Sequence, residues 1–167
     1  MPKLIKDHQI VEDDWSVLPK DAELGQVGER CLVPLKLWLE HTDSLRERLP
    51  AIGVWIDSDE DVEELAAEDC HRMPVIGVNF PAFADGRSFS TARLLRDRFR
   101  YQGEVRALGD FMRDQLFYLQ RCGCNAFAPT NPWPDFESSL ASLHDFSEPY
   151  QAASDLAKPL YERHQRG

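Results

Sequence analysis

The sequence predicts an α/β protein built on a short parallel β-sheet of four or five strands. Three observations carry this. Short apolar runs recur at residues 51–56, 75–80, 104–108 and 124–129. Stretches with helical spacing of apolar residues separate them. Turn and cap residues mark the junctions: Asp57-Ser58-Asp59, Asp85-Gly86, Gly103, Gly109-Asp110 and Gly123. Strands that alternate with helices of about 8–14 residues are the pattern of βαβ units, whose crossovers are right-handed. Four or five strands are too few for a closed eight-stranded barrel. An open doubly wound sheet is the first expectation, and a half-barrel the alternative.

Along the chain, residues 1–30 are polar and acidic, and read as an irregular or hairpin-like N-terminal segment. Cys31-Leu32-Val33-Pro34 is a brief strand or lead-in, with Pro34 suited to the first turn of the following helix. Leu35, Leu37, Trp38, Leu39, Leu45 and Leu49 punctuate an amphipathic helical stretch. After the run at 51–56, Asp57-Ser58-Asp59 can cap a helix that runs through Val62, Leu65 and Ala66. After the run at 75–80, a long loop leads to a helix carrying Ala92, Leu94, Leu95 and Phe99. The strand at 104–108 turns at Gly109-Asp110 into a helix over residues 111–121, stopped by Gly123. A strand at 124–129 ends the core. The organisation is therefore an N-terminal segment (1–30), an α/β core (31–129) and a helical C-terminal extension (130–167). Phe136, Leu140, Leu143 and Phe146 have helical spacing in that extension.

At 43% hydrophobic the chain can bury a core without cross-links, and no apolar run approaches the roughly 20 residues of a membrane span. The first residues carry no apolar signal core, so the expected location is the cytoplasm. The net charge of -10 argues against nucleic-acid binding, which depends on neutralising phosphates. The charge is unevenly placed. Residues 1–70 hold 18 acidic and 7 basic side chains, whereas residues 86–121 hold 4 acidic and 8 basic ones, every base an Arg. Arg favours planar ion pairing and anion recognition. Cys31, Cys70, Cys122 and Cys124 lack zinc or C-x-x-C redox spacing, so no metal site is expected and the thiols read as reduced and mostly buried.

Ligands of parallel sheets bind beyond the carboxyl ends of the strands. There the densest polar set is Asp85-Gly86-Arg87-Ser88-Phe89-Ser90. A glycine loop opening a helix can direct backbone N–H groups at an anion, with Ser88 or Ser90 as the helix cap and Arg87 beside it. The same residues suit a plain Asp-Gly turn with a Ser cap. Arg106 alternates with apolar residues on a central strand, so it either pairs with a nearby carboxylate or floors an anion pocket. Asp110, Arg113, Asp114 and Gln115 gather at the next strand end and complete the candidate ligand-binding set. Arg93, Arg96 and Arg100 read as a solvated helix face. The chain shows no P-loop, no dinucleotide fingerprint and no nucleophile–His arrangement, which leaves a carboxylate as the available general base. Catalytic residues and cofactors are left open.

Four blocks of this sequence resemble a bacterial family known as domain of unknown function 934. They are Asp85-Gly86-Arg87-Ser88-Phe89-Ser90-Thr91-Ala92-Arg93-Leu94-Leu95-Arg96, Gly103-Glu104-Val105-Arg106-Ala107-Leu108-Gly109-Asp110, Arg113-Asp114-Gln115-Leu116, and Arg121-Cys122-Gly123 with Ala126-Phe127. The likeness covers roughly residues 30–128 and departs at Cys124, where members more often carry Phe. It implies a setting: members are commonly encoded beside the haem subunit of assimilatory sulfite reductase and are described as oxidoreductases of sulfite reduction. The expected function is an accessory role in that process, with the haem subunit as partner. A small-molecule lyase or isomerase with an anion site at the strand ends is the alternative, and a dimeric scaffold a third. The apolar tail and the open sheet edges lead to the expectation of a homodimer.

Overall fold

A computed structural model describes residues 2–81, 86–131, 133 and 136–143 of the chain. Eight strands form one sheet: β1 (Lys3–Lys6), β2 (Gln9–Glu12), β3 (Ser16–Val17), β4 (Cys31–Pro34), β5 (Ile52–Ile56), β6 (Val75–Phe80), β7 (Glu104–Gly109) and β8 (Ala126–Pro129). Their order is β2-β1-β8-β7-β6-β5-β4-β3. From β3 to β8 every neighbouring pair is parallel and consecutive in sequence, whereas β1 joins β8 and β2 antiparallel.

The α/β class and the parallel sheet built from βαβ units are therefore as the sequence indicates, on a larger and mixed sheet. A doubly wound sheet reverses its strand order partway and so places helices on both faces. Here the order never reverses between β3 and β8, and successive crossovers of one hand stack on one side. The sheet curls into the half-barrel. Residues 1–30 supply three of its strands, β1 and β2 pairing antiparallel with each other.

Among the described residues the α-helices are α1 (Leu35–Glu40), α2 (Thr42–Arg46), α3 (Ala67–Arg72), α4 (Arg87–Asp97), α5 (Leu116–Arg121) and α6 (Phe136–Ser142). Register assigns the strand residues to faces. Val33, Val54, Ile56, Ile76, Val78, Phe80, Val105, Ala107 and Phe127 share one face and cluster with Trp38, Leu45, Cys70, Ala92, Leu95, Leu116 and Leu119 of the helices. This convex layer is the main core. Leu32, Trp55, Val75 and Leu108 point to the concave face, where Trp15 covers them.

The concave face is filled as a barrel interior would be. Trp55 Nε1 donates to the Leu18 carbonyl at 2.8 Å, anchoring the incoming chain across it. Gly53 and Gly77 make room: a Cβ on Gly53 would meet the Val75 carbonyl oxygen at 2.1 Å, and one on Gly77 would meet Leu108 Cδ1 at 2.6 Å.

Several helices are shorter than their periodicity predicts. The segment after β5 opens as a 3-10 turn, Val62–Glu64, capped by the Asp61 carboxylate on the Glu63 amide at 2.8 Å. The stretch 111–121 divides into a 3-10 turn at Arg113–Gln115 and α5, because Gln115 Oε1 accepts from the Met112 amide at 2.8 Å. Arg96 corrects the solvated-face reading of α4. Its guanidinium donates to the carbonyls of Gly123, Tyr101 and Gly103 at 2.7–2.9 Å, tying α4 to the starts of β7 and β8.

Candidate functional site at the strand ends

Three neighbouring strands place polar residues at one end of the sheet. β5 ends into Asp57 and Ser58, β6 carries Asn79, and β7 closes on Gly109. Asn79 Nδ2 donates to Asp57 Oδ1 at 3.0 Å. Gly109 has φ +96, and a Cβ there would lie 2.6 Å from Asn79 Oδ1 and 2.3 Å from the Phe80 carbonyl oxygen. The glycine thus permits both the left-handed turn and the close approach of Asn79.

Lys20 reaches this end from the N-terminal segment. Its ammonium donates to Asp57 Oδ2 at 2.9 Å and to Asp59 Oδ1 at 3.0 Å. Hydrogen bonding to Asp57, then to Asp59, holds Lys20 above its usual pKa, so it stays an ammonium rather than an amine nucleophile. Burial works against the charge on Asp57, but hydrogen bonds from Lys20, Asn79 and the Ser58 amide outweigh it and hold the carboxyl below its usual pKa. Glu60 moves the other way. Burial raises its carboxyl, although its side chain accepts from the Asp57 amide at 2.8 Å. Burial thus acts on both carboxyl groups, and only at Asp57 do the hydrogen bonds outweigh it.

The fourth wall is the start of α4. Gly86 is its N-cap residue, and neither serine caps it. Ser88 lies inside the first turn, fully buried, and its hydroxyl donates to the Asn79 carbonyl. That uses the one hydroxyl proton of Ser88 within the protein. Arg87 is exposed, and its Nη2 donates to Ser58 Oγ at 3.2 Å. Between the β5 end and α4 lies an open cleft of about 340 Å³, lined by Ser58, Asp59, Glu60, Asp61, Val62, Arg87, Ser90, Thr91 and Leu94.

The structure thus gathers Gly86, Arg87, Ser88 and Ser90 at one strand end, while Asp85 lies outside the described residues. It places Arg106 elsewhere. Register sets Arg106 opposite Gly77, in the middle of β7 on the concave face. Its guanidinium donates to Glu104 and to Asp13, each at 2.8 Å, and Lys6 stands 3.3 Å from Glu104. The anion that Arg106 meets is Asp13, so the ion-pair reading holds and the open-pocket reading does not. Asp110, Arg113 and Asp114 are exposed along the turn after β7. Arg113 donates to Ser138 of α6 at 3.1 Å, and Gln115 caps its own turn. These four do not line the cleft.

Sequence reasoning did not name Lys20, Asp57, Glu60 or Asn79 as site residues, although Asp57 and Asn79 stand at strand ends. Lys20 lies 37 positions from Asp57, and nothing local marks it.

All four cysteines are buried and outside any disulfide. Burial raises the thiols of Cys31, Cys70 and Cys124, Cys70 to about 12, which keeps them as thiols near neutral pH. Among the described residues no group of three or more His, Cys, Asp or Glu is placed to hold a metal ion, and no helix is long and apolar enough to cross a membrane.

No curated protein and no solved structure matches this chain. One family model does, over residues 53–161, which takes in β5 to β8, the cleft and part of the C-terminal extension, but not Lys20. The match spans well over half of the chain and includes all four motif blocks, and on that ground the protein belongs to the family "Bacterial protein of unknown function (DUF934)".

Proposed function

We propose that this protein is an accessory factor of assimilatory sulfite reduction that acts on the haem subunit of the reductase. The setting comes from the motif resemblance. The observation that supports a protein-binding role is the acidic surface of residues 1–70. Of the acidic side chains there, all but Asp13, Asp57, Glu60 and Asp69 are exposed. A surface of one sign steers a partner of the opposite sign and makes association depend on salt. The test is affinity capture of purified haem subunit on the immobilised full chain at low and high salt. Retention at low salt, release at high salt and loss in a Glu64→Lys, Glu68→Lys variant support the reading. Absence of retention at low salt removes it.

A second reading, a small-molecule enzyme, is favoured by one specific observation. Glu60 and Arg87 both line the cleft at the strand end, where parallel sheets hold their ligands. Glu60 would serve as the acid–base group there. In that reading Glu60→Gln abolishes turnover while binding is retained in part.

A further inference from the structure

The sheet ends in two edge strands, β2 and β3, and they are built differently. At β3, Ser16 and Leu18 donate inward to the Arg30 and Leu32 carbonyls at 3.0 Å, so the residues turned away from β4 are Trp15, Val17 and Pro19. The Asp13 carboxylate takes the Trp15 amide at 3.0 Å, and Pro19 has no N–H to offer. That edge is blunted. At β2, the Asp13 amide donates to the Pro2 carbonyl at 2.8 Å. With the register, this turns Gln9 and Val11 toward β1 and leaves Ile10 and Glu12 facing outward. Among the described residues nothing pairs with the backbone N–H and C=O groups of those two. No proline or lysine stands in this strand, and it carries two β-branched residues in a row.

We propose that β2 is the interface between two copies of this chain, paired antiparallel about a two-fold axis at Val11. Ile10 of each copy then stands opposite Glu12 of the other, and their outward backbone groups exchange hydrogen bonds on both sides of the axis. Val11 meets its own counterpart on the axis. Val11 also lies opposite Leu4 in the β1–β2 register, so an apolar row of Leu4 and Val11 from both copies runs across the interface. Val11 is half-buried in one copy, and this row covers the rest of it. Charge selects a second copy as the occupant. Residues 1–70 carry 18 acidic and 7 basic side chains, so most of this half repels its own kind. Residues 3–12 hold Lys3 and Lys6 against Asp7 and Glu12, a balanced stretch. Lys3 lies beside Glu12 in the register, and pairing about Val11 keeps the two Glu12 side chains from standing opposite each other. A strongly charged partner strand gains nothing at such an edge, whereas a neutral edge that matches itself suits a second copy.

The experiment is sedimentation of the full chain over a range of concentrations, with and without Glu12→Pro. Proline at this position removes only an outward N–H and keeps the ladder to β1. The wild-type mass is expected to rise toward twice that of the monomer, and Glu12→Pro is expected to stay monomeric at an unchanged melting temperature. Cross-linking reads the register. In this pairing the two Val11 Cα atoms lie about 4.5 Å apart, within reach of a disulfide, whereas the two Glu12 positions lie beyond it. Val11→Cys is expected to form a covalent dimer under mild oxidation, and Glu12→Cys is not. A full chain that stays monomeric at every concentration overturns the proposal. So does a Glu12→Pro variant that still dimerises, or a Glu12→Cys variant that cross-links as readily as Val11→Cys. Wild-type sedimentation and the two cysteine variants decide the question even if Glu12→Pro fails to fold.

Discussion

Arg106 and Asp13, 93 positions apart in sequence, meet through a 2.8 Å hydrogen bond on the concave face of the half-barrel. The guanidinium is 3% exposed and the carboxylate 11%. Glu104, two residues along the strand, accepts from the same guanidinium. Asp13 also accepts from the Trp15 amide at 3.0 Å, which sets Trp15 over Leu32, Trp55, Val75 and Leu108. This buried ion pair therefore joins the N-terminal segment to the sheet and aligns the aromatic cover of its inner face.

Removing one partner of a buried pair strands the other charge. Arg106→Met is expected to cost about 3–5 kcal/mol, measured by urea unfolding, because Glu104 is left buried without its main partner. Asp13→Asn is expected to cost less, since Glu104 still neutralises the guanidinium.

The Lys20–Asp57 contact sets a pH dependence. The Asp57 carboxyl lies below its usual pKa in the folded protein, so the unfolded state takes up this proton first as pH falls. The stabilisation is fully present above the ordinary carboxylate value of 3.8 and disappears as pH falls through the lower folded value. Lys20→Met is expected to lower the melting temperature slightly at pH 7, by the equivalent of about 1 kcal/mol or less for so exposed a lysine. The gap between wild type and variant is expected to close as pH falls below 3.8. A gap that stays constant with pH contradicts the assignment.

Gly109→Ala tests the strand-end geometry. It forces a Cβ into the Phe80 carbonyl and Asn79 at a positive φ, with an expected cost of about 1–3 kcal/mol. Gly25→Ala, where nothing stands within 4 Å, is the control and is expected to be nearly neutral. Thermal unfolding of the two variants makes the comparison.

Arg96→Lys is expected to destabilise by about 2–3 kcal/mol although charge is kept. A single ammonium cannot reach the Gly123, Tyr101 and Gly103 carbonyls as the planar guanidinium does. Urea unfolding against an Arg93→Lys control reads the difference.

The parallel strands were legible because each is a short apolar run bounded by turn residues, as at Val75–Phe80. The direction of winding was not, since right-handed crossovers allow either a reversing or a sequential order. Strand β3 was not legible because Ser16 and Val17 are a short exposed pair, and pairing rather than composition makes them a strand. At the site, the loop motif led to Arg87 and to a serine cap. The cap was misassigned because the burial of Ser88 under the Asn79 carbonyl is a tertiary fact. Arg96 was misread for the same reason: its partners lie beyond α4, at residues 101, 103 and 123. The homodimer expectation rested on Phe136, Leu140, Leu143, Phe146, Tyr150 and Tyr161; the first three pack on the core, and the last three lie outside the described residues.

The central claim is functional partnership with sulfite reduction. It is tested most directly by the steady-state rate of sulfite reduction by the purified haem subunit with its electron donor, with and without saturating amounts of this protein, at low ionic strength. The account predicts a faster rate in its presence, lost at high salt and lost with the Glu64→Lys, Glu68→Lys variant. An unchanged rate at every protein concentration would contradict it.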